Sequence, residues 1–172
     1  MPNIFITGTD TNLGKTFFTV ALFHQMNMKG YKTFGIKPVA SGCFLNEEGR
    51  LVNVDALAIQ KAASIKKDYQ IINPISFHEP IAPHIAAKKM GLYLSSRVII
   101  DVITRSIQQE ADINIIEGFG GWSVPINDNE LMSEVVIKLN LPIILVVGIR
   151  LGCINHAILT AQKIIQNKAS FL

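Results

Sequence analysis

Residues 8–16 read GTDTNLGKT, and their types and order are those of a loop that cradles phosphate. The segment begins where the apolar run Asn3-Ile4-Phe5-Ile6-Thr7 ends and stops where an apolar-periodic stretch starts, so a strand feeds the loop and a helix leaves it. Phosphate loops run GxxxxGK[ST]; Gly14, Lys15 and Thr16 match the last three positions, while the leading Gly position is Thr9 and Gly8 lies one residue earlier. Glycines let backbone N–H groups approach phosphate oxygens, and the helix that follows turns its positive dipole end toward them. Asp10, Thr11, Asn12, Leu13 and Gly14 are therefore expected to form the cradle, with Lys15 on the terminal phosphates and Thr16 on magnesium.

Other residues able to do chemistry stand where apolar runs end, which is where ligands bind in open parallel sheets. Glu117 closes the run that starts at Ile113 and is followed by Gly118-Phe119-Gly120-Gly121-Trp122, a glycine loop whose Gly120 is counted with the nucleotide site. An acid in that place resembles the second magnesium-organising element of phosphate-loop enzymes; the alternative is a solvated acid capping a strand. Lys37 lies in GIKPVASG at 35–42, and an ammonium leaving an apolar strand is costly unless it reaches solvent or an anion. Pro38 removes a backbone donor just beyond it, and Ser41 with Gly42 makes a turn offering a hydroxyl and N–H groups. Asp55 opens a helix after a polar loop, as a first-turn acid or as a metal ligand. His24 reads as a surface or groove residue, His78 has no second ligand at metal spacing, and His84 and His156 read as hydrogen-bonded core histidines. Trp122 reads as packing beside the glycine loop.

The elements that must position these residues follow from periodicity. Apolar runs alternate with amphipathic ones, the pattern of an α/β fold with a doubly wound, mainly parallel sheet covered by helices on both faces, here of the phosphate-loop NTPase kind. Strands are expected at Ile4–Thr7, Thr33–Val39, Ile113–Glu117 and Ile143–Gly148. Helices are expected at Lys15–Lys29, with Phe18, Ala21, Leu22 and Met26 on one stripe, and at Ser95–Gln109, with Val98, Val102, Ile103 and Ile107. Others are expected near Val54–Ala63, Ala82–Met90, Ser133–Asn140 and Ile154–Gln166. The sequence stops at Ala169-Ser170-Phe171-Leu172, just after a helix, where such a fold is expected to enter another strand.

A length of 172 residues with 49% hydrophobic composition is that of one domain, 1–172, able to bury a full core. The longest apolar stretch, within Pro142–Ile149, is too short to cross a bilayer, and no charged-then-apolar leader opens the sequence; a cytoplasmic protein is expected, with no membrane partner. Cys43 and Cys153 are too far apart for a zinc ligand pair and too few for a disulfide framework. Net charge is +3, with no acid after Glu134, but no Lys/Arg cluster with interleaved aromatics marks a nucleic-acid face.

Six segments, GTDTNLGKT at 8–16, GIKPVASG at 35–42, VDALA at 54–58, EPIAPHIA at 79–86, IEGFGGW at 116–122 and LVVGIRLGCINHAILTAQ at 145–162, closely resemble the dethiobiotin synthetases of biotin biosynthesis in order and spacing. The resemblance implies an ATP- and magnesium-dependent ligase that closes a cyclic urea on 7,8-diaminopelargonic acid with carbon dioxide. It implies that Thr16, Asp55 and Glu117 organise magnesium, that Lys15 holds the terminal phosphate, and that Lys37 stabilises the carbamate and the migrating phosphoryl group. Thr11 and Ser41 would line the substrate and phosphate path. Gly152, Cys153 and Asn155 would cross a homodimer interface to receive the substrate carboxylate of the neighbouring subunit. Many members carry Glu where this chain has Asn12, and members run on for several tens of residues through the segment that holds adenine. Two rivals follow: a truncated, catalytically silent copy that binds nucleotide or phosphate, and a dimeric ATPase of the partitioning kind. The latter class has an early lysine in KGGxGK, which is absent from Asp10-Thr11-Asn12-Leu13-Gly14-Lys15.

Overall fold

A computed structural model describes residues 2–172. In chain order the elements are β1 (Asn3–Gly8), α1 (Lys15–Met28), β2 (Thr33–Ile36), β3 (Val39–Ala40), β4 (Phe44–Leu45), β5 (Leu51–Val52), α2 (Val54–Ala62), α3 (Tyr69–Ile72), β6 (Ile75–Ser76), α4 (Pro83–Lys89), α5 (Ser96–Ser106), β7 (Ile113–Glu117), α6 (Met132–Lys138), β8 (Ile143–Val146) and α7 (Cys153–Gln166).

The main sheet has the order β2-β7-β1-β8 and every pairing in it is parallel. Register sets Ile6 opposite Glu117 and Gly8 opposite Val146, so the loops leaving β1, β7 and β8 emerge at one edge. The strands read as near-continuous Ile, Phe and Val runs because helices cover both faces, as parallel sheets require. Phe5, Ile6, Phe34, Ile36, Ile115 and Ile116 are all buried in one core cluster with Phe23 of α1, Ile59 of α2, and Ile99 and Ile103 of α5. At Gly35 a Cβ would lie 2.3 Å from Ile59 Cγ2 and 2.9 Å from the Phe23 ring, so α1 and α2 lie flush against β2 only because that residue has no side chain. Ser170 to Leu172 run beside β8, with Phe171 bridged in parallel to Ile143.

Three expectations are corrected. The strand expected over Thr33–Val39 breaks after Ile36: the Lys37 N–H goes to Ile72 O, Pro38 has no donor, and Val39–Ala40 pairs with β6 in a separate two-stranded ladder. The buried face of α1 is Lys15, Thr19 and Phe23 flanked by Leu22 and Met26, whereas Phe18 and Ala21 are exposed. In α5 the buried residues are Ser96, Ile99, Ile103 and Ser106, so Val98 faces out. Among the described residues, no helix is long and apolar enough to cross a membrane.

Candidate active site

The sheet delivers three residues and a loop to one place from three strand ends and a helix. Lys37 follows β2, Glu117 ends β7, the phosphate loop follows β1, and Asp55 stands in the first turn of α2, where Asn53 is the N-cap that accepts from the Asp55 and Ala56 N–H groups. Asp55 is therefore free of capping duty. The loop is shaped by two left-handed residues, Asn12 at φ 57° and Gly14 at φ 90°, a region that asparagine tolerates and glycine enters without penalty.

Glu117 is fully buried and both its oxygens are engaged. Its Oε1 accepts from Thr16 Oγ1 and from Lys37 Nζ, each at 2.8 Å, and its Oε2 accepts from Thr19 Oγ1 at 2.8 Å. Lys37 Nζ also lies 3.6 Å from Asp55 Oδ2, and only 4% of Lys37 is exposed. A solvated strand-end acid and a snorkelling lysine are both excluded, since the two form a buried ion pair. Lys15 Nζ donates to the carbonyls of Asp10 at 2.9 Å and Gly120 at 2.8 Å. Burial pushes the Lys15 ammonium below its ordinary value, and the nearby positive charge of Lys37 lowers it further.

These groups border a cavity of 810 Å³ lined by Asp10 to Phe17, Lys37, Ser41, Asp55 and Gly120, which brings together nearly the whole expected nucleotide site. Its other wall is apolar, formed by Pro80 to Pro83 and Val124. Ser41 Oγ is buried and has no hydrogen-bond partner among the described residues, leaving it available to a ligand. Gly152, Cys153 and Asn155 do not line this cavity; Gly152 and Asn155 are exposed where α7 begins. Trp122 is buried, as expected, and its Nε1 donates to Asn167 Oδ1. His156 is exposed and His84 Nδ1 is buried without a partner, which corrects the expectation of hydrogen-bonded core histidines.

The sequence reading missed Thr19 and Arg150. Thr19 lies one turn beyond Thr16 on the buried face of α1, so its spacing could have flagged it. Arg150 Nη2 donates to Asp10 Oδ2 at 2.6 Å, and beside it a Cβ on Gly148 would sit 2.5 Å from Leu13 Cδ2, so the loop after β8 closes directly onto the phosphate loop. The Thr11 N–H, and after it the Arg150 guanidinium, hold the Asp10 carboxyl below its ordinary value.

Among the described residues no group of three or more His, Cys, Asp and Glu is disposed to hold a metal. Magnesium does not need one, because it is bound by one or two carboxylates plus phosphates and water. Asp55 and Glu117, both beside the Lys37 ammonium, with Thr16 bonded to Glu117, are a donor set of that kind.

A family model described as an AAA domain matches residues 2–171. A protein of Pseudomonas paraeruginosa named ATP-dependent dethiobiotin synthetase BioD is 44% identical over 165 residues, covering 96% of this chain and 72% of the relative. The chain belongs to the dethiobiotin synthetase family. The family's ATP-dependent dethiobiotin synthetase BioD of Wigglesworthia glossinidia brevipalpis is 46% identical, over 98% of this chain and 74% of its own length. The dethiobiotin synthetase BioD 1 of Escherichia coli (strain K12) is likewise 46% identical, over 93% of this chain and 70% of its own.

Proposed function

We infer that the chain is an ATP-dependent dethiobiotin synthetase, a carbon–nitrogen ligase that makes a cyclic urea from 7,8-diaminopelargonic acid and carbon dioxide. The observation that carries the site assignment is the pair of lysines, Lys15 and Lys37, facing one cavity with two carboxylates beside them. One amine of the substrate adds to carbon dioxide and loses a proton, giving a carbamate. A carbamate oxygen attacks the γ-phosphorus of ATP and releases ADP. The second amine attacks the carbonyl carbon of the mixed anhydride, closes the ring and expels phosphate.

The protein's part is positioning and charge. Lys15 leaves its loop carbonyls for the terminal phosphate, while loop N–H groups take the remaining oxygens. Lys37 faces the carbamate and the migrating phosphoryl group, where charge builds up in the transition state. Thr11 and Ser41 line the path, the Ser41 hydroxyl having no protein partner to give up. The apolar wall at Pro80 to Pro83 suits the alkyl chain of the substrate. Thr16, Asp55 and Glu117 would hold magnesium, which when bound neutralises phosphate charge. Gly152, Cys153 and Asn155 of a second copy would receive the substrate carboxylate, a role supported by the exposure of Gly152 and Asn155 and by the placement of all three outside their own chain's cavity.

Labelled bicarbonate should enter an acid-stable product only when both the diamine and ATP are present, with one phosphate released per ring. Phosphate release that does not depend on the diamine would overturn the assignment.

A further inference from the structure

Lys37 does more than face the substrate. Glu117 is completely buried, and an ionised carboxylate there is strongly unfavourable without a counter-charge. Two hydroxyls, from Thr16 and Thr19, satisfy its lone pairs but bring no charge. The charge comes from Lys37, whose ammonium lies 2.8 Å from Glu117 Oε1 and 3.6 Å from Asp55 Oδ2. Thr16 Oγ1 meets the same Glu117 oxygen. The ammonium thus stands between the two carboxylates, on the same Glu117 oxygen that the Thr16 hydroxyl meets, and a divalent cation held by those carboxylates would need that place.

We propose that Lys37 is a tethered stand-in for the divalent cation, occupying the carboxylate pair until the metal arrives and being displaced by it into the cavity. The inference rests on the magnesium role given above to Asp55 and Glu117. Two like charges a few ångströms apart in a site of low dielectric repel strongly, so metal and ammonium cannot share the position. The cavity of 810 Å³ that Lys37 lines gives its long stem room. The exchange has a functional consequence: the lysine is released toward the reacting groups only once the metal has taken over the charge of Glu117. Side-chain cation and metal are thereby loaded in a fixed order.

The test is metal binding without turnover, using Mn²⁺ as the probe and electron paramagnetic resonance to count free ion. Without nucleotide, Lys37→Met should bind Mn²⁺ at least tenfold more tightly than the wild type, because the internal competitor is gone. Equal or weaker binding would overturn the exchange. Asp55→Asn, measured with ADP present, should weaken Mn²⁺ binding severalfold; unchanged binding there would overturn the magnesium reading itself, separating the two failures. Should Lys37→Met fail to fold, pulsed acetylation of the wild type with mass-spectrometric readout replaces it. Mg²⁺ should raise modification of Lys37 severalfold while leaving exposed lysines such as Lys29 unchanged, and an unaltered Lys37 yield would overturn the proposal.

Discussion

Arg150, on the loop after β8, donates to Asp10 of the phosphate loop at 2.6 Å, and the same Asp10 accepts the Thr11 N–H through its other carboxylate oxygen. One side chain therefore fixes the start of the phosphate loop and ties it to the segment that leads into α7. Both partners are about half exposed, so the pair contributes little to overall stability. Arg150→Ala should lower stability by less than about 1 kcal/mol, and that difference should shrink as salt is added. Denaturant titrations at low and high ionic strength measure it; a loss insensitive to salt would assign Arg150 a packing role.

Lys37→Ala should lower turnover by at least about a hundredfold, the scale for losing a charge contact made in the transition state, while the ADP dissociation constant changes little. Steady-state rates with the diamine, together with calorimetric ADP titration, separate the two. Near-normal turnover would remove Lys37 from the chemistry.

Acid stability should depend on Glu130, which sits between α5 and α6. Its carboxylate accepts from the Ser96 hydroxyl and from Asn127 Nδ2 at 2.6 Å, and Lys138 lies 3.9 Å away. The Ser96 hydrogen bond, with Asn127 next, holds the carboxyl below its ordinary value of 4.5. A carboxyl lowered in the folded state stabilises above its unfolded value and loses that contribution as pH falls through its folded value. Glu130→Gln should therefore cost about 1–2 kcal/mol at neutral pH, and the gap to wild type should narrow below pH 4.5. Melting curves from pH 7 to pH 3 test this; a constant gap would show that the carboxylate charge is not involved.

The expected homodimer makes its own prediction. If the exposed turn at Gly152 and Asn155 completes the neighbour's site, Lys15→Ala and Asn155→Ala chains are each inactive, yet a mixed dimer contains one site with both residues intact. Mixing the two should restore part of the activity. No recovery in mixed dimers verified by native mass spectrometry would count against a shared site.

What could be read from the sequence was whatever produces local contrast. Glu117 and Lys37 are charges at the ends of apolar strands, and the Gly14-Lys15-Thr16 run is unlike ordinary turn sequence. The four strands of the main sheet lie where their apolar runs are: β7 keeps its expected bounds, β1 gains a residue at each end, and β2 and β8 stop short at their C-terminal ends. Thr19 carries no such contrast: apart from its place one turn beyond Thr16, a threonine inside a helix looks the same whether it faces solvent or, as here, a carboxylate 98 residues away. The Asp10–Arg150 contact depends on the parallel register of β1 with β8, which periodicity does not specify. The break after Ile36 was hidden for a different reason, because Val39–Ala40 remains extended and changes only its pairing partner.

Lys15, finally, is not a bare cation awaiting anions. Its ammonium is held by two carbonyl dipoles: that of Asp10 closes the phosphate loop upon itself, and that of Gly120 ties it to the loop after β7. An incoming anion must outbid both. A lone phosphate or sulfate meets Lys15 with few other contacts, whereas a nucleotide polyphosphate engages the whole run of loop N–H groups at once. Such a held lysine would act as a threshold against small anions, including the phosphate that the reaction itself releases. Weak product inhibition by inorganic phosphate, beside strong inhibition by ADP, would be the kinetic signature of that threshold; comparable inhibition by both would show that the loop opens without resistance.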